Sequence, residues 1–264
     1  MLAMARHSHW AQIKLKKGAL DKKRGKIFTR HARLIEIAAR KAGGDPATNA
    51  SLRLVMDNAR ADNMPRENID RAIKKATGAA AGAEQMKEVS YEGYAPGGIA
   101  LVIDALTDNS NRTNQTIRTI MQKHGGTLGA MGSTSFLFET KGMLKVKARS
   151  AARDNDELEI IDAGAQDLED AARTGEDAAS HGEGVPGFIV YTAPSEFGAV
   201  RAALEKKGFT VESGELTKIP KNTVAVTDRE VAQKILTLIE LIEEDDDIIN
   251  IAANFDIPEE LLSS

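Results

Sequence analysis

The chain has 264 residues, of which 42% are hydrophobic and 28% charged, and it contains no cysteine. A chain of this length can bury cores of its own and divides into roughly two or three domains. Its longest apolar stretches fall far short of the roughly 20 residues of a membrane-spanning helix, and the lack of cysteine excludes disulfides, thiol catalysis and the usual structural zinc sites. The first residues lack the apolar core of a secretion signal, so we expect a cytoplasmic protein without a membrane contact.

Charge is distributed unevenly along the chain. Residues 1–80 hold 18 Lys and Arg against 7 Asp and Glu, whereas residues 81–264 hold 17 against 32. The positive charge is densest between residues 12 and 33, where nine cations accompany one acid, Asp21. Such a run favours a polyanion, so we predict a nucleic-acid-binding arm. The predicted contact residues are Lys14, Lys16, Lys17, Lys22, Lys23, Arg24, Lys26, Arg30 and Arg33.

Trp10 comes just before the basic run. Its ring either stacks on a base, which adds roughly 1–3 kcal/mol, or anchors the arm on the helical core. We include Trp10 among the predicted nucleic-acid contacts, and the sequence leaves both roles open.

Three amphipathic helices are predicted in the basic part of the chain. Apolar residues at helical spacing mark the first from Lys26 to Ala42, and Gly43 ends it. Asp45-Pro46 is typical of the start of a second helix. Pro65 starts a third, whose outward face carries two pairs of opposite charge four residues apart. These pairs are Glu67 with Arg71 and Asp70 with Lys74. They favour a surface helix over one that enters a duplex groove.

Beyond an Ala and Gly stretch at residues 79–83, strand patterns alternate with amphipathic helices. The order β-α-β-β-α-β between residues 143 and 218 is that of the ferredoxin-like plan. The flanking elements are predicted at Ile99–Leu106, Arg112–His124, Ser133–Phe138, Thr223–Val226, Glu230–Glu244 and Ile248–Ala252. We therefore predict an α+β multidomain fold with a basic arm and helical domain (1–80) and two α/β (ferredoxin-like) domains. One of these, 141–219, is inserted in the other, a discontinuous middle domain of residues 81–140 plus 220–264.

Signals for catalysis are weak. The five histidines are scattered without metal-ligand spacing, and no nucleophile elbow is present. Four glycines, Gly125, Gly126, Gly129 and Gly132, follow a helix and precede a strand, which is the reverse of a phosphate-binding loop, so they are interpreted as turn residues. Asp104 and Asp108, near a strand end, are a candidate acid–base pair, but carboxylates at strand ends commonly cap loops, and we favour that structural interpretation. We predict no enzyme, no cofactor, no metal and no small-molecule substrate.

Acidic residues are concentrated in two segments. Ten carboxylates fall between residues 154 and 177, and five follow one another from Glu243 to Asp247. Solubility is the ordinary explanation. The alternative is that the acidic part repels nucleic acid or occupies the basic domain intramolecularly, although screening limits such effects to about 10 Å.

Six motifs follow one another along the chain: His7-Ser8 with Trp10, Lys22-Lys23-Arg24-Gly25-Lys26-Ile27-Phe28-Thr29, Asn63-Met64-Pro65, Tyr91-Glu92-Gly93-Tyr94, Leu106-Thr107-Asp108-Asn109 with Asn111-Arg112-Thr113, and Gly125-Gly126 with Leu128-Gly129. In this order they resemble a known family, the YebC/PmpR family. The resemblance covers nearly the whole chain. Departures include Arg6 in place of a glycine and His31 in place of an aliphatic residue, and none of them removes the basic run.

The resemblance implies a three-domain fold and control of gene expression without catalysis. Such bacterial proteins are labelled probable transcriptional regulators, and they are related to the mitochondrial translational activator of cytochrome c oxidase subunit I. Some members are described as DNA-binding and others as ribosome-associated. We therefore expect a nucleic-acid-binding regulator, with DNA-binding transcriptional regulation as the expected function. The alternative is a ribosome-associated translation factor whose basic arm contacts ribosomal RNA, and an irregular cationic arm suits folded RNA.

Overall fold

The computed structural model describes residues 21–78, 86–149, 153–171, 187–258 and 261, without the side chains of residues 21–24 and 153. Within these ranges the chain forms seven α-helices and three separate β-sheets. None of the described helices is long and apolar enough to cross a membrane. The predicted fold class, an α+β chain that begins with a helical part, is confirmed.

Three helices form the N-terminal bundle: α1 (Asp21–Ala42), α2 (Ala50–Ala61) and α3 (Arg66–Thr77). Their buried faces meet in one apolar core that includes Ile35, Leu52 and Ile69. Asn49 joins the first two helices. Its Oδ1 accepts the Leu52 amide at 3.0 Å as the cap of α2, and its Nδ2 donates to Ala38 O at 2.8 Å.

Two boundaries of the bundle differ from the prediction. The described part of helix α1 already includes Asp21, five residues before the predicted start at Lys26, so part of the predicted arm is helical. Asp45-Pro46 lies in a turn, and α2 begins four residues after Pro46, because Asn49 supplies the cap that was expected from Asp45. The predicted start of α3 after Pro65 is confirmed.

The first sheet combines distant parts of the chain. Its strands are β1 (Lys87–Ala95), β2 (Ile99–Thr107), β3 (Thr127–Leu128) and β9 (Ile248–Ala253), in the antiparallel order β3-β1-β2-β9. Helices α4 (Ser110–Lys123) and α7 (Arg229–Glu243) cover one face and contribute Ile117 and Leu238 to the core. Strand β2 alternates between that core and a second apolar cluster with Phe138, so both of its faces are buried.

The second sheet contains β4 (Phe138–Lys147), β5 (Asp167–Asp170), β6 (Phe188–Thr192) and β7 (Thr210–Pro220), in the order β5-β6-β4-β7. Helices α5 (Arg153–Asp162) and α6 (Phe197–Lys206) complete the predicted β-α-β-β-α-β order. Its core is distinct from that of the first sheet and includes Leu144, Phe188 and Leu204.

Two predicted strands around the first sheet need correction, and one strand was missed. Strand β1 was not predicted, because Gly93 and the two glutamates, Glu88 and Glu92, have low strand propensity. The predicted strand Ser133–Phe138 is instead a loop with a 3₁₀ turn at Ser135–Leu137, and β4 begins only at Phe138. Thr223–Val226 does not join the first sheet, since β8 (Val224–Ala225) pairs in parallel with β10 (Phe255–Asp256).

We retain the division of the chain into domains as a proposal. It comprises a basic arm and helical domain in 1–80, a middle domain of 81–140 plus 220–264, and an inserted domain of 141–219. Its support is that the two large sheets have separate cores and that the first sheet takes strands from both sides of the second.

Candidate nucleic-acid interface

The predicted contact residues divide into three groups. Trp10, Lys14, Lys16 and Lys17 lie outside the described residues. Lys22, Lys23 and Arg24 belong to the N-terminal part of α1, and their side chains are outside the described set. Lys26, Arg30 and Arg33 have described side chains.

Lys26, Arg30 and Arg33 lie on one face of α1. Their spacing of four and three residues aligns them along the helix. Lys26 is exposed and donates from Nζ to Glu244 O at 2.9 Å. Arg33 donates from one Nη to Asp246 O at 2.5 Å and to Asp247 Oδ1 at 3.0 Å. Arg30 forms no ion pair with a described residue, and its Nε is buried without a hydrogen-bond partner there. Two of the three cations on this cationic face of α1, Lys26 and Arg33, therefore contact the acidic segment at residues 243–247.

The acidic segment is well suited to receive cations. It begins at the C-terminus of α7, where the last carbonyl groups of a helix and the negative end of its dipole attract positive charge. Two of the three bonds from α1 go to backbone carbonyl oxygens, those of Glu244 and Asp246. The third goes to the carboxylate of Asp247.

Asp247 is buried at the junction of α1 with the first sheet. Its side chain is 7% exposed, and Oδ2 accepts from Thr107 Oγ1 at 2.9 Å, from Thr113 Oγ1 at 2.8 Å and from an Arg112 Nη at 2.9 Å. Burial by itself would raise the pKa of Asp247, but the bonds from Arg112, Thr113, Thr107 and Arg33 outweigh it and hold the pKa below its ordinary value. Asp247 is thus an ionised carboxylate inside the protein.

The partners of Asp247 give a structural role to the sequence motif at residues 106–113. Thr107, Arg112 and Thr113 come from the end of β2 and the first turn of α4. Asn109 caps that helix by accepting the Arg112 amide at 3.1 Å, which orients the turn. Sequence analysis selected this motif but missed Asp247, because a buried carboxylate and its exposed neighbours in a run of acids give the same pattern.

Asp104 and Asp108 do not face each other as a free pair of carboxylates. Lys218 Nζ contacts both oxygens of Asp104, at 2.5 and 2.6 Å. Asp108 accepts from Arg112 at 2.6 Å, and this bond lowers the pKa of Asp108. Each carboxylate is held by a different cation, which agrees with the structural interpretation of both.

The third helix carries surface ion pairs, although not the predicted ones. Asp70 pairs with Arg66 at 3.7 Å instead of Lys74, and Lys75 reaches across to Glu36 at 2.9 Å. The outward face of α3 therefore combines both signs of charge, and phosphates would meet its carboxylates unfavourably.

The glycine-rich loop after α4 is organised by a buried carboxylate. Glu92 accepts the amides of Gly132, Thr134 and Ser135 at 2.8, 2.6 and 2.7 Å. Burial opposes ionisation of Glu92, yet these donors lower its pKa to about 2.

The prediction that the glycines serve turn geometry is supported, since Gly125 and Gly132 have φ of 77° and 86°. Beside them, Met131 and Phe136 are 88% and 61% exposed. Sequence analysis did not single out Glu92.

Comparisons with known proteins show the family and the fold of this chain. A family model described as "TACO1/YebC protein N-terminal domain" matches residues 8–79, and one described as "TACO1/YebC second and third domain" matches residues 86–255. A crystal structure of a conserved hypothetical protein from Aquifex aeolicus has a TM-score of 0.81 and 44% identity, and the alignment covers 97% of this chain and 100% of that chain.

Three curated relatives carry the name "Probable transcriptional regulatory protein". The protein from Aquifex aeolicus is 45% identical over 98% of each chain. The protein from Fervidobacterium nodosum is 48% identical over 96% of this chain and 94% of its own, and that from Deinococcus radiodurans is 44% identical over 97% and 99%. Both family models and these near full-length matches show that the chain belongs to the TACO1/YebC family.

Proposed function

We propose that this protein is a non-catalytic, nucleic-acid-binding regulator of gene expression. The single observation that carries the proposal is the cationic face of α1, which continues a dense run of Lys and Arg in the preceding residues. The names of the curated relatives support a regulatory role. The proposed contact residues are Trp10, Lys14, Lys16, Lys17, Lys22, Lys23, Arg24, Lys26, Arg30 and Arg33.

Phosphate contacts are the proposed basis of binding. Each Lys or Arg that neutralises a phosphate releases counterions, so the logarithm of the binding constant falls by about 0.9 per contact for each tenfold rise in salt on a duplex. Among the described cations of this group, Lys26 and Arg30 are the best placed. Lys26 has a single exposed bond to a backbone oxygen, and Arg30 has no ionic partner among described residues.

The test compares two triple variants of equal charge. Arg24, Lys26 and Arg30 are changed to Gln in one, and Arg66, Arg71 and Lys74 on α3 are changed to Gln in the other. Binding to a DNA duplex and to a ribosomal RNA fragment is measured between 50 and 300 mM salt. We expect the α1 variant to lower the salt slope by about 2.7 on the duplex and the α3 variant to leave it near the wild-type value. Equal slopes for the two variants would contradict the proposal.

We propose DNA-binding transcriptional regulation as the specific function and ribosome association as the alternative. The alternative is favoured by α3, whose mixed charges do not form a groove-reading surface. Ribosomes sedimented from cells at low and high salt distinguish the two. Cosedimentation that is lost in the α1 variant supports the translation function. A tenfold preference for a defined promoter over random duplex, without cosedimentation, supports transcription.

A further inference from the structure

Arg33 differs from Lys26 and Arg30, the two other cations of the proposed contact group whose side chains the structure describes. Its side chain is 25% exposed, and its guanidinium already contacts Asp246 O and the carboxylate of Asp247. Lys26, by contrast, is exposed and has one bond to a backbone carbonyl. The flexible ammonium group of Lys26 can exchange this bond for one to a phosphate. Arg33 can bind a phosphate only by breaking its ion pair with Asp247, which would leave a buried carboxylate without that partner.

Asp247 is fixed independently of Arg33. Thr107, Thr113 and Arg112 all donate to Oδ2, which leaves Oδ1 for Arg33. The main chain of Asp247 is also held, because its carbonyl accepts the Leu106 amide at 2.7 Å. The carboxylate is therefore a rigid point on the first sheet and α4, and Arg33 is the residue of α1 that reaches it.

We infer that Arg33 is a positioning residue, which fixes α1 to the first sheet through Asp247, and that it is not a phosphate ligand. The inference rests on the proposed function and narrows its contact group by one residue. Because the pair holds α1 at one angle before binding, the binding free energy is not reduced by the entropy of ordering the helix.

The opposite hypothesis makes the opposite prediction for Asp247. If Arg33 were a phosphate ligand that Asp247 merely occupies, Asp247→Asn would release a cation and remove a negative charge. Binding would then become tighter, and the salt slope would become steeper by about 0.9. If Arg33 positions α1, Asp247→Asn weakens binding by the same factor at every salt concentration.

The binding experiment uses the full chain with a DNA duplex as the probe. We expect Arg33→Gln and Asp247→Asn each to weaken binding about tenfold with an unchanged salt slope, and the double variant to bind no more weakly than either single variant. Arg33→Lys keeps the charge but loses the planar donor geometry, so it should resemble Arg33→Gln. Lys26→Gln is the matched control and should lower the slope by about 0.9. Tighter binding by Asp247→Asn, or wild-type binding by Arg33→Lys, would overturn the inference.

A distance measurement tests positioning without nucleic acid. The chain contains no cysteine, so Thr29→Cys on α1 and Gln122→Cys on α4 can carry spin labels at two defined sites. We expect the distance distribution to broaden in both Arg33→Gln and Asp247→Asn, with near-wild-type helix content by circular dichroism. An unchanged distribution in a folded variant refutes positioning. If the wild-type protein binds neither DNA nor RNA, the proposed function fails, and the distance measurement still decides the role of Arg33.

Discussion

Asn58 and Gly214 exchange two hydrogen bonds between the helical bundle and the second sheet. Asn58 Nδ2 donates to Gly214 O at 2.7 Å, and Gly214 N donates to Asn58 Oδ1 at 2.9 Å. Arg201 of α6 supports the same junction by contacting Asp57 at 2.5 Å. The bundle thus contacts both sheets, through α2 to the second and through α1 to the first, where Lys41 pairs with Glu88 at 2.7 Å besides the contact of Arg33 with Asp247.

The amide of Asn58 satisfies both backbone groups of Gly214, so its removal leaves a half-buried donor and acceptor behind. We expect Asn58→Ala to lower the free energy of unfolding by about 1–3 kcal/mol. Urea denaturation measures this, with the exposed Asn111→Ala as the control expected to change stability by less than about 0.5 kcal/mol. Equal effects of the two substitutions would contradict the role of the junction.

Glu92 makes stability depend on pH in the acidic range. Its pKa in the folded protein is about 2 against an ordinary value of 4.5, so its contribution is complete above pH 4.5 and is lost as the pH falls toward 2. Glu92→Gln resembles the protonated side chain. We expect the stability difference between wild type and Glu92→Gln to shrink by about 2 kcal/mol between pH 6 and pH 3. A difference that stays constant over this range would show that the loop does not depend on the ionised carboxylate.

His31 is buried in the bundle with only one of its ring nitrogens bonded. Nε2 lies 2.5 Å from Asp62 Oδ2, whereas Nδ1 is buried without a hydrogen-bond partner in the described structure. Because the side chain of Asp62 is half exposed, the pair contributes little, and the unsatisfied Nδ1 costs free energy. We expect His31→Leu to stabilise the protein by about 1 kcal/mol, measured by thermal unfolding. His31→Ala leaves a cavity and should destabilise it. Destabilisation by both would show that the contact with Asp62 dominates.

We expect Gly93 and Gly198 to respond oppositely to replacement by alanine. A Cβ at Gly93 would meet the backbone carbonyl oxygen of Thr127 and lie 3.2 Å from Leu128 Cα, so β3 would have to move away from β1. We expect Gly93→Ala to destabilise the protein by about 1–3 kcal/mol. Gly198 is exposed in α6 with open space around it, and Gly198→Ala should stabilise by about 0.5 kcal/mol. Chemical denaturation of both variants is the measurement, and equal stabilities would contradict the close approach of β3.

The accuracy of the sequence predictions depends on how local each signal is. The spacing of apolar residues, together with the Gly and Pro residues at helix ends, predicted the helices. The predicted β-α-β-β-α-β order of the second sheet is confirmed. Strand β1 was missed because Glu88, Glu92 and Gly93, which have low strand propensity, lie among its strand-forming residues. Strand β1 forms because β2, which is buried on both faces, needs a hydrogen-bonding partner along its edge and pairs with β1 over nine residues. This need arises from the sheet and cannot be seen in the sequence of β1.

The sequence by itself determined the distribution of charge, the helical faces and the family motifs. Only the tertiary structure decided which charges are paired. Arg33 and Asp247 are 214 residues apart in the sequence. Each lies in a run of residues of like charge, and nothing in the sequence of such a run distinguishes a paired residue from an unpaired one. Burial distinguishes Arg33 and Asp247 from their neighbours in the two runs. A carboxylate enclosed by the packing of α1, β2 and α4 stays ionised only if those elements supply hydrogen-bond donors.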